Sequence, residues 1–207
     1  MPFNGKSGKF NASINTVEFG CGDKAVKIGG ENVFPLYSFD AAIENAPKVG
    51  IEITDFGMEH EPECIKKYYE GCATLADMAR KAASMEGVDF LSFRMEGGDP
   101  NGANKSTEEL IGELKEIADA VDLPLVVCGC KNVEKDAELF SKAAEALNGK
   151  NAVILSAKEE NYKTVGAAAG LAYKQVVGAE SAVDINLAKQ LIADGEKDAD
   201  VLVAKMK

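Results

Sequence analysis

A fourfold alternation of strand-like and helix-like segments is the feature that most limits the fold of this sequence. Each repeat is an apolar run, a short polar tip and then a helical pattern of apolar residues. Alternation of this kind is typical of parallel sheets built from strand–helix–strand units. Such folds carry their chemistry at the carboxyl ends of the strands, where these tips lie. The four strand-and-tip segments are VDFLSFRMEGGDPNGANKS (88–106), LPLVVCGCKNVEKD (123–136), NAVILSAKEENYK (151–163) and VVGAESAVDIN (176–186).

Two further strands, at 49–56 and 199–206, bring the expected total to about six strands and five helices. A complete eight-unit barrel averages about 250 residues. The 207 residues of this chain leave room for about six units and an N-terminal preface. The repeating region, 48–207, therefore predicts an α/β domain that is either an open or incomplete barrel or a doubly wound sheet.

The preface, residues 1–47, is predicted to be a separate extension that contains a β-hairpin. Two short extended runs, INTVEF (14–19) and AVKIGG (25–30), flank the turn-forming types Gly20, Gly22 and Asp23. Glycine and aspartate in such a join favour a hairpin. The stretch that follows, 31–47, contains two prolines and indicates an irregular connection.

Helix limits follow from capping residues and glycines. Thr74 is the expected N-cap of a helix that reaches Met85, and Ser106 with Glu109 has the spacing of a capping box. Asn132 is the expected N-cap of the next helix. The small residues at 166–174 predict a closely packed helix, and a final helix is expected from Asp184 to Gly195. Its predicted buried face consists of Ile185, Ala188, Leu191 and Ile192.

Composition excludes several classes of protein. The net charge of −11 would repel a nucleic acid backbone. No stretch approaches the roughly 20 apolar residues that a membrane span needs, and the N-terminus lacks the apolar run of a secretory signal, so we expect a cytoplasmic protein. The five cysteines are an odd number without a CxxC pair, which signals neither disulfides nor a metal cluster. Cys128 and Cys130 are expected to share one face, as small buried residues.

Familiar catalytic signatures such as GxGxxG, GxxxxGK[ST], HExxH and GxSxG do not occur. The one histidine, His60, has acidic neighbours that favour its charged form, so a loop residue is the better interpretation. What remains is a ring of strand-end polar groups without a nucleophile–base pair, which suits holding a polar ligand or partner. Capping or turn formation is the alternative role for Asn132, Asn161, Asp184 and Asp99. The ring comprises Asp55, Arg94, Glu96, Asp99, Asn101, Lys131, Asn132, Ser156, Lys158, Glu159, Asn161, Glu180, Ser181, Asp184 and Asn186.

These strand ends carry a resemblance to a known family. The strings GDPNGAN (98–104), VVCGCKNVEKDAELF (126–140), LSAKEENYKTVGAAAGLAY (155–173) and VGAESAVDINLAKQL (177–191) resemble the small subunit of the corrinoid iron–sulfur protein. That subunit is the delta subunit of the CO dehydrogenase/acetyl-CoA synthase (acetyl-CoA decarbonylase/synthase) system. The preface is similar as well, in FNGKSGKF (3–10), VEFGCGDKAVKIGGENVFPLYSFD (17–40) and NAPKVGIEITD (45–55). The resemblance runs from about Pro2 to Leu191, after which the chain is expected to be shortened relative to the family.

The resemblance implies a TIM-type (β/α) barrel related to the pterin-binding methyltransferases. It also implies a corrinoid (cobalamin) that this chain shares with a large subunit carrying the iron–sulfur cluster. A methyltransferase would deliver the methyl group from methyltetrahydrofolate, and acetyl-CoA synthase would receive it, in the reductive acetyl-CoA (Wood–Ljungdahl) pathway of anaerobes. The chain would be a non-catalytic carrier subunit in a heterodimer. The expected corrinoid contacts are Asn101, Asn132, Ser156, Lys158, Asn161 and Ser181.

Two alternatives remain at this point. No Asp-x-His-x-x-Gly pattern is present, so no metal ligand and no catalytic residue is assigned to this chain. A pterin-dependent corrinoid methyltransferase is the enzymatic alternative, and it could recruit Asp55, Asn101 and Asp184. A truncated remnant that retains only the partner-binding surface is the other.

Overall fold

The predicted N-terminal hairpin is confirmed. The computed structural model describes residue 8 and residues 11–33, 42–181, 184–198 and 202–206. Strands β1 (Val17–Phe19) and β2 (Val26–Ile28) pair in antiparallel fashion. A short 3-10 turn, Gly22–Lys24, joins them, and Gly20 and Gly22 both adopt positive φ there. The irregular connection expected at 31–47 lies partly outside the described residues, at 34–41.

A parallel sheet forms the rest of the fold, which confirms the α/β class. Its strands are β3 (Gly50–Thr54), β4 (Phe90–Arg94), β5 (Leu125–Cys128), β6 (Val153–Ala157), β7 (Val176–Ser181) and β8 (Leu202–Met206). Neighbours in the sheet are neighbours in sequence, and every pair is parallel. A doubly wound sheet would reverse its strand order at a switch point. The doubly wound alternative is therefore wrong for the described strands, and closure into a barrel stays a prediction.

Five of the six described helices lie where the sequence pattern predicts them, and a short helix at 63–68 is additional. The helices are α1 (Glu63–Tyr68), α2 (Leu75–Ala83), α3 (Thr107–Ala120), α4 (Val133–Ala146), α5 (Tyr162–Val165), which runs on as a π-helix (Gly166–Ala172), and α6 (Ile185–Asp198). Thr74 forms a reciprocal capping box with Asp77 at the start of α2. The side chains of Ser106 and Asn132 accept backbone N–H groups at the starts of α3 and α4. The three N-caps are confirmed.

Helix α6 corrects two expectations. It continues through Gly195 to Asp198, because one internal glycine costs only about 1 kcal/mol relative to alanine. Ala188 and Leu191 are buried as predicted, but Ile185 is 58% exposed and Ile192 is 38% exposed. The predicted apolar stripe is about 120° wide at 100° per residue. Only the part of the stripe that contains Ala188 and Leu191 packs against the rest of the protein.

Two apolar clusters cover the two faces of the sheet. The helices bury one face, where Leu91, Phe93 and Val127 pack with residues such as Leu114 and Phe140. The hairpin covers part of the other face through a cluster that contains Phe19, Val26, Val126, Val153 and Val176. The proposed domain division at 47/48 stays a prediction. Within the described part of the chain, no helix is long and apolar enough to cross a membrane.

Asn151, just before β6, holds the hairpin in place on the sheet. Its side-chain amide donates to the carbonyl oxygens of Glu18 and Gly20, at 3.2 and 3.3 Å. Its own carbonyl accepts from the Gly20 N–H at 2.7 Å. Phe19 completes the contact, with its ring edge-on to Phe90 at a centroid distance of 5.8 Å. Hydrogen bonds and an aromatic contact therefore both hold the end of β1 against the sheet.

We expect Phe19→Ala to destabilise the whole fold by about 3 kcal/mol, the usual cost of a Phe-to-Ala cavity. Phe19 is only 3% exposed and seals the hairpin against the sheet. Urea denaturation measures the change. The matched control is Ile14→Ala in the same N-terminal segment, where the side chain is 62% exposed. A loss of equal size in both variants would contradict the structural role given to the hairpin.

Candidate functional site

The carboxyl ends of β3–β7 meet along one edge of the sheet, because all neighbouring strands are parallel. We call it the carboxyl edge. Sheets of this kind bind their ligands outside such an edge. Each strand of β3–β7 is followed there by polar residues, and all six predicted contact residues lie in strand ends or in the segments just after them. Their assignment as ligand contacts stays a prediction.

Three of the six residues stabilise the edge itself. Asn132 caps α4 by accepting the Lys135 N–H at 3.0 Å. Asn161 is buried; its side-chain oxygen accepts the Lys158 N–H at 2.8 Å, and its amide group donates to the Val133 carbonyl at 3.3 Å. Asn161 therefore ties the segment after β6 to the first turn of α4. Ser181 is buried and donates to the Asp184 carbonyl.

The other three residues present polar groups more openly. Ser156 is half-buried, at a register shift between β6 and β7, where an extra residue re-aims the side chain. Lys158 is half-buried and lies close enough to Asp136 to stabilise that carboxylate. Asn101 is exposed in a turn after β4, where the Asp99 carboxylate accepts its backbone N–H at 2.9 Å and its side-chain amide at 3.3 Å. The expected turn at 99–102 is thereby confirmed.

Asp136, buried in the first turn of α4, was missed in the sequence as a site residue. Its Oδ1 accepts the Cys130 N–H at 2.7 Å, and a Cβ on Gly129 would overlap its carboxylate. Burial raises the pKa of Asp136, although hydrogen bonds from Cys130 oppose that shift. No capping or turn spacing in the sequence indicates this contact.

The two neighbouring cysteines do not share a face, which corrects the expectation. Cys128 belongs to the cluster beneath the hairpin, whereas Cys130 belongs to the helix-side core. The alternation of a strand ends at Cys128, so the spacing no longer fixes the direction of Cys130. Burial raises the pKa of the Cys130 thiol to about 11, so Cys130 is an unreactive neutral thiol at neutral pH.

Asp55, which directly follows β3, holds the segment after β4. Its side chain is fully buried (0% exposed), and its two oxygens accept the Gly97 N–H at 2.9 and 3.1 Å. Lys105 Nζ lies 3.1 Å from Asp55 Oδ2 and also donates to the Asp55 carbonyl at 2.9 Å. A Cβ on Gly97 would overlap the Asp55 carboxylate. The contact with Asp55 therefore requires a glycine at position 97 but not at position 98.

Glu113, on α3, completes this charged group by accepting from Lys105 Nζ at 3.1 Å. Burial raises the pKa of Glu113 and outweighs the opposing effect of Lys105. Burial also acts to lower the pKa of Lys105, but hydrogen bonds to Asp55 and Glu113 leave it raised. The pKa values of both partners are raised, because the two groups have different numbers of hydrogen-bond partners. Lys105 has two carboxylates, whereas Glu113 shares one lysine and its buried Oε2 has no hydrogen bond.

The sheet face beside the hairpin carries polar residues, of which Glu52 and Ser92 were not predicted as site residues. Glu52 on β3 forms a two-pronged ion pair with Arg94 on β4, at 2.9 and 2.7 Å. Hydrogen bonding to Glu52 is the main cause of the raised pKa of Arg94. Ser92 Oγ lies 3.5 Å from Cys128 Sγ on the same face. The period-two alternation in GIEIT and FLSFR is the signal that would have placed Glu52 and Ser92 there.

The acidic groups described at this edge are engaged mainly in hydrogen bonds to backbone N–H groups. Both buried carboxylates, Asp55 and Asp136, already accept loop N–H groups. Asp184 accepts the backbone N–H groups of Asn186 and Leu187. His60 is exposed and its ring lies against Phe56 at 4.8 Å. In the described ranges, no group of three or more His, Cys, Asp or Glu side chains is placed to hold a metal ion.

Comparison with known proteins gives a consistent picture. A family model described as CO dehydrogenase/acetyl-CoA synthase delta subunit matches residues 16–201. A protein of Methanothermobacter thermautotrophicus called acetyl-CoA decarbonylase/synthase complex subunit delta is 30% identical over 208 residues, covering 97% of this chain and 53% of that protein.

Relatives with the same name occur in other organisms. The protein of Methanocaldococcus jannaschii is 30% identical over 191 residues, covering 88% of this chain and 46% of its own length. The protein of Archaeoglobus fulgidus is 30% identical over 176 residues, covering 83% and 38%. The chain thus spans about half the length, or less, of the curated relatives it matches.

We expect Gly97→Ala to destabilise the protein by about 1–3 kcal/mol, because the added Cβ displaces a buried carboxylate from its N–H partner. Gly112→Ala is the matched control: Gly112 lies within α3, and a Cβ there meets nothing within 4 Å. The control should gain up to about 1 kcal/mol from better helix propensity. Denaturant titrations of both variants give the comparison. A Gly97→Ala variant as stable as the unsubstituted chain would contradict the contact with Asp55.

We expect Glu113→Gln to become relatively more stable as pH rises from about 4 to 7. The fold favours the protonated acid, so the contribution of Glu113 is complete below its ordinary pKa of 4.5 and is lost as pH rises through its raised pKa. Glutamine cannot ionise and keeps its contribution. Denaturation at several pH values, with unsubstituted protein alongside, measures the difference.

Glu138→Gln is the control with the opposite sign. A hydrogen bond from Thr107 lowers the pKa of Glu138, so its ionised form stabilises the fold and that contribution is lost as pH falls. This variant should become relatively less stable as pH rises over the same interval. Equal pH dependence of the two variants would contradict both assignments.

Proposed function

Because the chain belongs to the CO dehydrogenase/acetyl-CoA synthase delta subunit family, we propose that it serves the acetyl-CoA pathway as part of an acetyl-CoA decarbonylase/synthase complex. The family model covers residues 16–201, which include the hairpin, β3–β7 and the whole carboxyl edge. The proposal therefore concerns the part of the delta subunit that this chain contains. A cytoplasmic location belongs to the same proposal.

Within that complex we assign the chain the role of the small subunit of a corrinoid iron–sulfur methyl carrier. Its direct partner is the large subunit that carries the iron–sulfur cluster. The methyltetrahydrofolate methyltransferase and acetyl-CoA synthase are the partners before and after the transfer. When bound, the corrinoid supplies a cobalt that takes up and releases the methyl group. The residues of this chain bind and orient; they do not react.

The composition of the carboxyl edge is the observation that supports a corrinoid as ligand. Its buried carboxylates are committed to loop N–H groups, and the six predicted contacts are three amides, two hydroxyls and a lysine. Asn132, for example, uses its side-chain oxygen as a cap and keeps its Nδ2 donor for a ligand. The periphery of a corrinoid consists of carboxamides, which hydrogen-bond well to such groups. The donor set therefore fits the proposed ligand at its rim.

The enzymatic alternative is not favoured by the geometry. A pterin-dependent methyltransferase would need Asp55, Asn101 and Asp184 to hold a pterin ring. Asp55 instead accepts the Gly97 N–H and pairs with Lys105, and Asp184 accepts two N–H groups at the start of α6. Freeing either carboxylate would leave buried or capping N–H groups without a partner. A carrier role requires no such rearrangement.

The test is retention of a corrinoid by the complex. The chain is expressed together with the iron–sulfur subunit, purified without oxygen and titrated with hydroxocobalamin, with visible absorbance as the readout. We expect about one corrinoid per pair, as the shared site requires. Asn132→Asp keeps the cap oxygen but loses the Nδ2 donor, and should weaken binding roughly tenfold, the effect of one lost hydrogen bond.

Asn148→Asp is the matched control, because it makes the same change of charge at the exposed far end of α4 and should leave binding unchanged. A pair that co-purifies without binding the corrinoid would replace the carrier role with a partner-binding role. Methyl transfer from methyltetrahydrofolate to free hydroxocobalamin by this chain alone would favour the enzymatic alternative. Either result overturns the proposal.

A further inference from the structure

The segment between Gly97 and Lys105 is a projecting loop with a closed base. The Lys105 N–H donates to the Gly97 carbonyl at 2.8 Å, which joins the two ends of the loop. Gly97 and Lys105 also each contact Asp55, on the neighbouring strand end. We call Asp55, Gly97 and Lys105 the loop clamp. The exposed turn with Asn101 lies between its two ends.

We propose that Asp55 and Lys105 are positioning residues, which hold loop 97–105 so that Asn101 meets the carboxamide rim of the ligand. The inference rests on the proposed function, because it takes a corrinoid as the ligand. It adds the residues that act without touching the ligand, and it assigns Asp55 to the loop rather than to chemistry.

Burial makes the clamp strong. The Asp55 side chain is fully buried and that of Lys105 is 19% exposed, so solvent screens their interaction only weakly. Removing one member of a buried pair leaves the other as an uncompensated charge, which costs far more than a surface pair does. Lys105 also lies over the Phe56 ring, with its Nζ 5.6 Å from the ring centroid. The lysine is therefore fixed in position by contacts on several sides.

The turn inside the loop is fixed as well, but only within itself. The Asp99 carbonyl accepts the N–H groups of Gly102 and Asn104, at 2.9 and 3.1 Å, and the Asp99 carboxylate accepts from Asn101. These bonds set the shape of the turn. They do not set its position relative to β5 and β6, where the other predicted contacts lie. The clamp supplies that position, because it joins both ends of the loop to β3.

Hydrogen exchange tests the clamp without any ligand. Lys105→Met keeps the length of the side chain and removes both ion pairs, and Asp55→Asn keeps one acceptor oxygen and removes the charge. Both variants should exchange the amides of residues 97–105 at least tenfold faster than the unsubstituted chain, since local opening governs exchange. Lys142→Met, which breaks a Lys–Glu pair on the surface of α4, is the matched control and should leave this loop unchanged.

A double-mutant cycle separates positioning from general stability. The readout is the affinity of hydroxocobalamin for the pair formed with the iron–sulfur subunit. Lys105→Met should weaken binding roughly tenfold in the unsubstituted background and have little further effect in an Asn101→Ala background. A merely structural role would weaken binding equally in both backgrounds, because the effects of independent sites add.

The outcomes distinguish this inference from the proposed function. Unchanged exchange of loop 97–105 in both clamp variants would overturn the clamp, whatever the ligand. Additive losses of hydroxocobalamin affinity in the double-mutant cycle would show that the clamp does not act through Asn101. If the unsubstituted pair does not bind hydroxocobalamin at all, the proposed function fails together with the ligand assigned to Asn101. Faster exchange with a non-additive cycle is the result that supports the inference.

Discussion

Burial of both faces of the parallel sheet is the constraint on which the rest of the structure depends. Parallel strands need a cover on each side, because their side chains are apolar on both. The helices cover one side, and the N-terminal hairpin covers part of the other, through Phe19 and Val26. On that face the hairpin cluster includes residues of β5, β6 and β7, whereas β3 and β4 carry polar side chains, Glu52 and Arg94 among them. The face therefore has an apolar part under the hairpin and a polar part on β3 and β4.

The carboxyl edge solves a second problem, which is how polar loops are held at the end of apolar strands. Two buried carboxylates do this in the same way. Asp55 accepts the N–H of Gly97, and Asp136 accepts the N–H of Cys130. In both cases a glycine allows close approach, because a Cβ on Gly97 or Gly129 would overlap the carboxylate. The repetition at two strand ends indicates that these acids stabilise loops.

The periodicity of the sequence predicted most of the fold, because strands, helices and caps depend on neighbours within a few residues. The N-caps Thr74, Ser106 and Asn132 are examples. What failed depends on distant contacts: the inward side of α6 is chosen by the sheet, not by its own apolar stripe, and Cys130 turns away from Cys128 once the strand has ended. The role of Asp55 could not be predicted either, because its partners Gly97 and Lys105 are 42 and 50 residues away. Sequence spacing placed the polar residues at the edge, but only the contacts show which are committed.

The distinction between committed and uncommitted groups decides how this edge is interpreted. A carboxylate with both oxygens bonded to a loop N–H and a lysine is committed to the loop, whereas an amide that caps a helix through its oxygen still has a donor. An edge whose buried acids serve the loops, and where Asn132 keeps an open donor, suits the neutral, polar ligand that we propose. Such a ligand is recognised through many moderate hydrogen bonds, each sensitive to the position of the loop that bears it. Rigid loop bases therefore matter more here than any single contact, and the buried charges at Asp55 and Lys105 are placed where rigidity is needed.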